Sequence, residues 1–153
     1  MLLIRAFLCG LVAGLRSMTA PAVVSQSARA GELDLSDTPL SWMARDKTAL
    51  VLTGMAAGEL IMDKLPFTPD RRKPPSFGFR IASGGLSGAA IGASEDIVFP
   101  ALLCGAAGAV CGTLGGAAAR TRLADSFGCD LPAALLEDAA AVGLGLLAAR
   151  ETA

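Results

Sequence analysis

Apolar runs long enough to cross a bilayer recur along this chain, and most charged residues fall between them. Five segments are read in this way: residues 2–24, 47–65, 79–93, 97–119 and 131–149. A membrane helix needs about 17–25 residues, so 79–93 is short. It either tilts or bends at Ser94-Glu95-Asp96 into a hairpin with 97–119. Hydrophobic residues make up 53% and charged residues 18% of the chain, whereas soluble domains carry about 25% charge. The expected fold is all-α, a polytopic membrane helix bundle forming one domain over residues 1–153. A soluble Ala/Gly-rich bundle is disfavoured, because the apolar runs carry too few surface charges. A secretory signal cleaved after Ala28-Arg29-Ala30 is disfavoured, because Arg16 interrupts its apolar region.

Loop charges set the expected orientation. Residues 63–80 hold Lys64, Arg71, Arg72, Lys73 and Arg80, and residues 120–130 hold Arg120 and Arg122. Cytoplasmic loops collect Lys and Arg. The expected location is therefore the cell inner (plasma) membrane, with the N-terminus cytoplasmic and the C-terminus outside. Residues 66–76, PFTPDRRKPPS, hold four prolines and read as a stiff basic connector rather than a helix. Its Arg71, Arg72 and Lys73 could rest on anionic headgroups. Residues 25–47 read as a short amphipathic connector starting at Ser36-Asp37-Thr38-Pro39, with Trp42 as an interfacial anchor.

Glycines repeat at helical spacing. Gly84, Gly88 and Gly92 lie in the third segment, Gly108, Gly112 and Gly116 in the fourth, and Gly54 and Gly58 in the second. Residues four apart stack on one helix face, and a face without side chains lets backbones approach closely. Either another segment or a second copy of the chain would fill such a face.

Ionisable residues inside the apolar runs are costly, so each is a candidate for function. They are Arg16, Glu59, Asp63, Lys64, Arg80, Glu137 and Asp138. Under the expected topology Glu59 and Glu137 each lie roughly 9 Å from the inner end of their segment, at matching depth. Asp138 shares its face with Ala134, Ala141 and Gly145 and points into tight packing. Arg16 stands before Pro21 with the Ser17 and Thr19 hydroxyls nearby, so the first helix is expected to break there and face the protein interior. Its expected partner is Glu59 or Glu137, with Arg80 as a second cation for the same acids. The competing structural account is an ion-pair network that fixes helix register.

Other chemistry is narrowed by what is missing. The chain has no His and no Tyr, and its four cysteines show no CxxC spacing. Cys9, Cys104, Cys111 and Cys129 read as small apolar side chains rather than disulfides. The sequence calls for no cofactor, and Mg or Ca would be the metals suited to its carboxylates. A net charge of −1 offers no field for nucleic acid, which leaves the lipid bilayer and a homo-oligomer through the Gly-rich helices as expected partners.

The stretches GLRSMTAPA (14–22), GELIMDKLPFTPDR (58–71), the glycine run led by Arg80, and LLEDAAA (135–141) form a pattern. It resembles a family of small bacterial membrane proteins catalogued as domain of unknown function 4126, over nearly the whole chain. The resemblance implies a multi-pass membrane location. It also implies that Arg16, Pro21, Glu59, Asp63, Lys64, Pro66, Arg71, Arg80, Glu137 and Asp138 belong together. It carries no activity, so no catalytic residue is assigned. Three functions stand open: a transporter or channel with a buried Arg/carboxylate site for a small ion or solute, a membrane structural or assembly protein, and a lipid-phosphate binding enzyme.

Overall fold

A proline is tolerated in the first turn of a helix, where its missing N–H has no intrahelical acceptor to lose. In the computed structural model, Pro21, Pro74, Pro75, Pro100 and Pro132 all occupy first turns. Residues 1–62, 73–128 and 130–149 are described. Their helices are α1 (Leu2–Leu15), α2 (Thr19–Arg29), α3 (Asp46–Met62), α4 (Pro74–Ala93), α5 (Val98–Phe127) and α6 (Asp130–Ala149), with a 3-10 turn at Ser41–Ala44. No strand occurs among the described residues. Two helices, Val98–Phe127 and Leu131–Ala149, are long and apolar enough to cross a membrane by length and composition.

The first apolar run, expected as one broken span over 2–24, is a helical hairpin. α1 ends at Leu15, Arg16 takes extended dihedrals (φ −138°, ψ 108°), and α2 begins at Thr19. The two arms return side by side. Val12 of α1 and Val23 of α2 both face Gly145 of α6, and Leu2, Ala6 and Cys9 share a core cluster with Val24 and Ala28. α6 runs antiparallel to α1, so Arg5 donates hydrogen bonds to the Ala148 and Ala149 carbonyls at 3.0 and 3.1 Å. The two ends of the described chain therefore lie at one end of the bundle. The run 2–24 therefore doubles back instead of passing straight through, which was the premise for expecting the N-terminus and the C-terminus on opposite sides.

α1, α4 and α5 pack through their glycines. A Cβ on Gly84 would overlap the Gly105 carbonyl, on Gly88 the Ala101 carbonyl, on Gly92 the Ile97 carbonyl, on Gly108 the Phe7 carbonyl, and on Gly112 the Leu11 carbonyl. Those faces are thus filled within the chain. Gly116 is buried in the same helix. Gly54 and Gly58 differ, for a Cβ on either meets no atom of the described residues within 4 Å. Small residues over about two turns of α4 give that helix an unbroken run of buried positions from Ser87 to Ala93.

Three boundaries depart from expectation for identifiable reasons. α4 starts at Pro74, five residues before the expected 79, because consecutive prolines fit a first turn; Pro74, Pro75 and Ser76, expected in the basic connector, are helical. α5 continues to Phe127 instead of ending at 119, so Arg120 and Arg122 are helical, and Gly128 (φ 70°) stops the helix in the left-handed conformation. The connector expected over 25–47 is confined to residues 30–45, because α2 runs to Arg29 and α3 starts at Asp46; its Leu33, Leu35 and Met43 are buried in the core cluster while its charged residues stay exposed. There Asp34 accepts hydrogen bonds from the Ser36 hydroxyl (2.6 Å) and amide (3.0 Å), which hold its carboxyl below the ordinary value.

Candidate functional site

Breaking a helix exposes the last carbonyls of one arm and the first amides of the next. Both sets meet at the hairpin tip, Leu15 to Met18, deep in the bundle. Two ionised side chains from other helices cap them. Arg80 of α4 donates from Nη1 to the Gly14 and Leu15 carbonyls, each at 2.8 Å. Glu59 of α3 accepts from the Ser17 amide (2.8 Å), the Ser17 hydroxyl (2.7 Å) and the Met18 amide (2.8 Å). Arg80 Nη2 and Glu59 Oε1 lie 3.6 Å apart, so the two caps also attract one another. Each charge complements the helix end it touches: the cation sits on the negative end of α1, the anion on the positive start of α2. Ser83 donates its hydroxyl to the Ser17 carbonyl, and Thr113 of α5 donates to the Gly14 carbonyl at 3.3 Å.

Arg16 has a different role. Its side chain is fully buried and pairs with Asp138 of α6, Nη2 to Oδ1 at 2.5 Å. The expected partners, Glu59 or Glu137, are thereby corrected. Glu59 is taken up by the Ser17 and Met18 amides, and Glu137 points away along α6 to Arg120 of α5 (3.4 Å). At the tip itself the acids on neighbouring residues are Glu59, on Ser17, and Asp138, on Arg16. Asp63, Lys64, Arg71 and Arg72 lie outside the described residues. Lys73 is exposed at the start of α4.

Sequence reasoning missed Arg120, read as a loop charge, and the hydroxyls of Ser83 and Thr113. The signal for Arg120 was available: Gly128, eight residues on, is the first helix-stopping residue after it. Among the described residues no three His, Cys, Asp or Glu side chains gather to hold a metal ion.

Two clefts flank the tip. One, of about 240 Å³, is lined by Thr19, Gln26, Thr53, Ala56, Val142 and Leu146, and runs from the tip toward the end bearing the termini. The Thr19 hydroxyl is buried there with no hydrogen-bond partner among the described residues. The other, of about 420 Å³, lies between α1, α5 and α6 and runs the opposite way, to Arg120 and Glu137.

The chain matches the family described as Domain of unknown function (DUF4126) over residues 3–150. No curated protein and no solved structure matches it.

Proposed function

The chain belongs to this family of unknown function, and we propose that it is a multi-pass membrane protein, transporter- or channel-like, whose site for a small ion or solute is the Arg16–Asp138 pair. The observation that carries the reading is a division among the buried charges. Arg80 and Glu59 are explained by the fold, because hydrocarbon leaves helix ends no water to bond and a re-entrant hairpin needs caps. Arg16 and Asp138 instead tie the tip to α6, a fully buried guanidinium paired with a carboxylate. Burying such a pair gains little or nothing over apolar side chains of the same volume. Charges kept at a cost at a helix discontinuity are the arrangement by which membrane carriers bind ions and polar solutes. The Thr19 hydroxyl, one residue past the tip, lines a cleft leading from it.

A membrane setting is supported by the large apolar side chains left on the surface, among them Leu50, Val51, Ile61, Phe99, Leu103 and Leu147. In this reading α3 to α6 cross the bilayer and α1–α2 enters and returns. The positive-inside rule then puts the end bearing Lys73, Arg120 and Arg122 in the cytoplasm, with both termini outside.

Purified protein in liposomes, challenged in turn with K⁺, Na⁺, Cl⁻, acetate and proton gradients, tests the proposal. At least one flux should exceed that of protein-free vesicles and fall to that background in Asp138→Asn. No flux with any of them, from protein shown to be folded, would overturn it. The assembly reading would then lead. Its support is the open Gly54–Gly58 face of α3, which no described residue covers and a second copy could fill.

A further inference from the structure

The cleft between α1, α5 and α6 is a second site, distinct from the hairpin tip. We propose that it holds one acyl chain of a glycerophospholipid with a phosphoethanolamine head, the phosphate on Arg120 and the ammonium on Glu137. The proposal rests on the membrane setting argued above but not on transport.

Depth comes first. Residues 98–119 of α5 carry no charge, and Arg120 ends that run. At 1.5 Å per residue the run is roughly 33 Å long, close to the ~30 Å hydrocarbon thickness. Arg120 therefore stands at the headgroup boundary. The cleft follows α5 from Cys111 to Leu123, roughly 18 Å, or about one leaflet of that thickness. Its inner end is closed by Leu11 and Leu15 below the hairpin tip.

Shape and chemistry come next. The floor is Gly112, Gly115 and Gly116, and a Cβ on Gly115 would meet no described atom within 4 Å. Gly112, by contrast, is pressed on the Leu11 carbonyl. The space above Gly115 is thus open cleft rather than helix contact. Its volume, about 420 Å³, falls within the range of ligand pockets, about 300–1,000 Å³. Apart from the Arg120–Glu137 pair at its mouth, the lining is Gly, Ala, Leu and Cys, which suits a hydrocarbon tail and not a hydrated ion. The pair is partly buried and its N–O separation is 3.4 Å, longer than the about 2.7–2.9 Å of a tight charge-assisted bond. A headgroup carrying one negative and one positive group matches it sign for sign, whereas phosphatidylglycerol offers no cation to Glu137.

The test is lipid retention. Full-length protein is reconstituted in nanodiscs of equal phosphatidylethanolamine and phosphatidylglycerol, released, and weighed by native mass spectrometry. Wild type should carry one lipid per chain, with phosphatidylethanolamine favoured about tenfold, the worth of one charge-assisted hydrogen bond. Gly115→Phe should keep the thermal transition and lose the lipid, because the ring fills the cleft. Arg120→Gln should keep a lipid and lose the preference. Equal retention by wild type and Gly115→Phe, no retained lipid, or detergent alone in the cleft would overturn the site. Should Gly115→Phe not fold, the preference in Arg120→Gln decides. Retention is read without any flux, so its failure and the failure of the transport reading are separable.

Discussion

Glu59→Gln is the most informative single change at the hairpin tip. The carboxylate uses one oxygen for the Ser17 amide and hydroxyl and the other for the Met18 amide. A glutamine retains one acceptor. Its –NH₂ must face either the Ser17 or the Met18 N–H, replacing an acceptor with a donor. One hydrogen bond to a charged group is lost, worth about 1.5–3 kcal/mol. The others weaken to neutral bonds, and Arg80, 3.6 Å away, loses its anion. A total of about 3–5 kcal/mol follows, the range for breaking a buried pair from one side. Glu59 is 17% exposed at its side chain, which argues for the lower half of that range.

The assay is equilibrium unfolding in mixed micelles with increasing SDS, followed by helix signal and by the fluorescence of Trp42. For a chain of this size about 1 kcal/mol moves Tm by roughly 2–4 °C, so Glu59→Gln, at about 3–4 kcal/mol, should lower it by about 6–16 °C. Glu59→Asp keeps the charge but withdraws it by one methylene, and should fall between Gln and wild type. A Glu59→Gln protein within about 0.5 kcal/mol of wild type, the scatter of neutral surface changes, would refute the capping account. Glu59 would then be held for something other than the fold.

Three further outcomes follow from the same geometry. Gly112→Leu should fail to accumulate in membranes, since even a Cβ there overlaps the Leu11 carbonyl; Gly58→Ala, with open space around it, should fold normally and gain about 0.5–1 kcal/mol in the same SDS titration. A tag after Met1 and a tag after Ala149 should be cleaved by protease from the same side of sealed vesicles, and cleavage from opposite sides would rule out the re-entrant hairpin. Ser36→Ala should raise the Asp34 midpoint in a carbonyl-carbon NMR titration, because it removes the larger of the two hydrogen bonds that lower it. The depressed carboxyl contributes stability above its unfolded pKa, and that contribution disappears as pH falls through the folded value. An unmoved midpoint would show that the Ser36 hydroxyl is not the cause.

Membership of one helical class, the glycine contacts and the break at Arg16 were all legible, because each rests on a local rule: apolar run length, four-residue spacing, and a proline following a charge. The direction of the chain after the break was not. Whether Arg16 to Met18 bends a helix or reverses it depends on what receives α2, and that is α3 and α6, which come later in the sequence. Partner choice failed for the same reason. Depth matched Glu59 to Glu137, but depth alone does not separate Glu137 from its neighbour Asp138. On a helix consecutive residues point about 100° apart, and only the position of α5 shows that Glu137 faces Arg120 while Asp138 faces the tip. Pro21 held an unused clue. A proline belongs to a first turn, so it already placed the start of a new helix at about residue 19.

The division among the buried charges has a consequence that single substitutions do not reach. Replacing a buried ion pair by apolar residues of similar volume is often neutral or stabilising by about 1–4 kcal/mol, because both desolvation costs vanish together. Arg16→Met with Asp138→Leu removes both members of the pair at once and should match wild type or exceed it in the SDS titration, although either change alone leaves a buried charge and should cost about 3–5 kcal/mol. Arg80→Met with Glu59→Leu should not be rescued in this way. It strips the Leu15 carbonyl and the Ser17 and Met18 amides of their side-chain partners and leaves the Gly14 carbonyl only the longer bond from Thr113. Each buried group left without its bond costs about 1–3 kcal/mol. If both doubles are equally stable, water reaches the tip and the caps are dispensable. If only the Arg16–Asp138 double is stable and its flux is gone, that pair is present for what it binds.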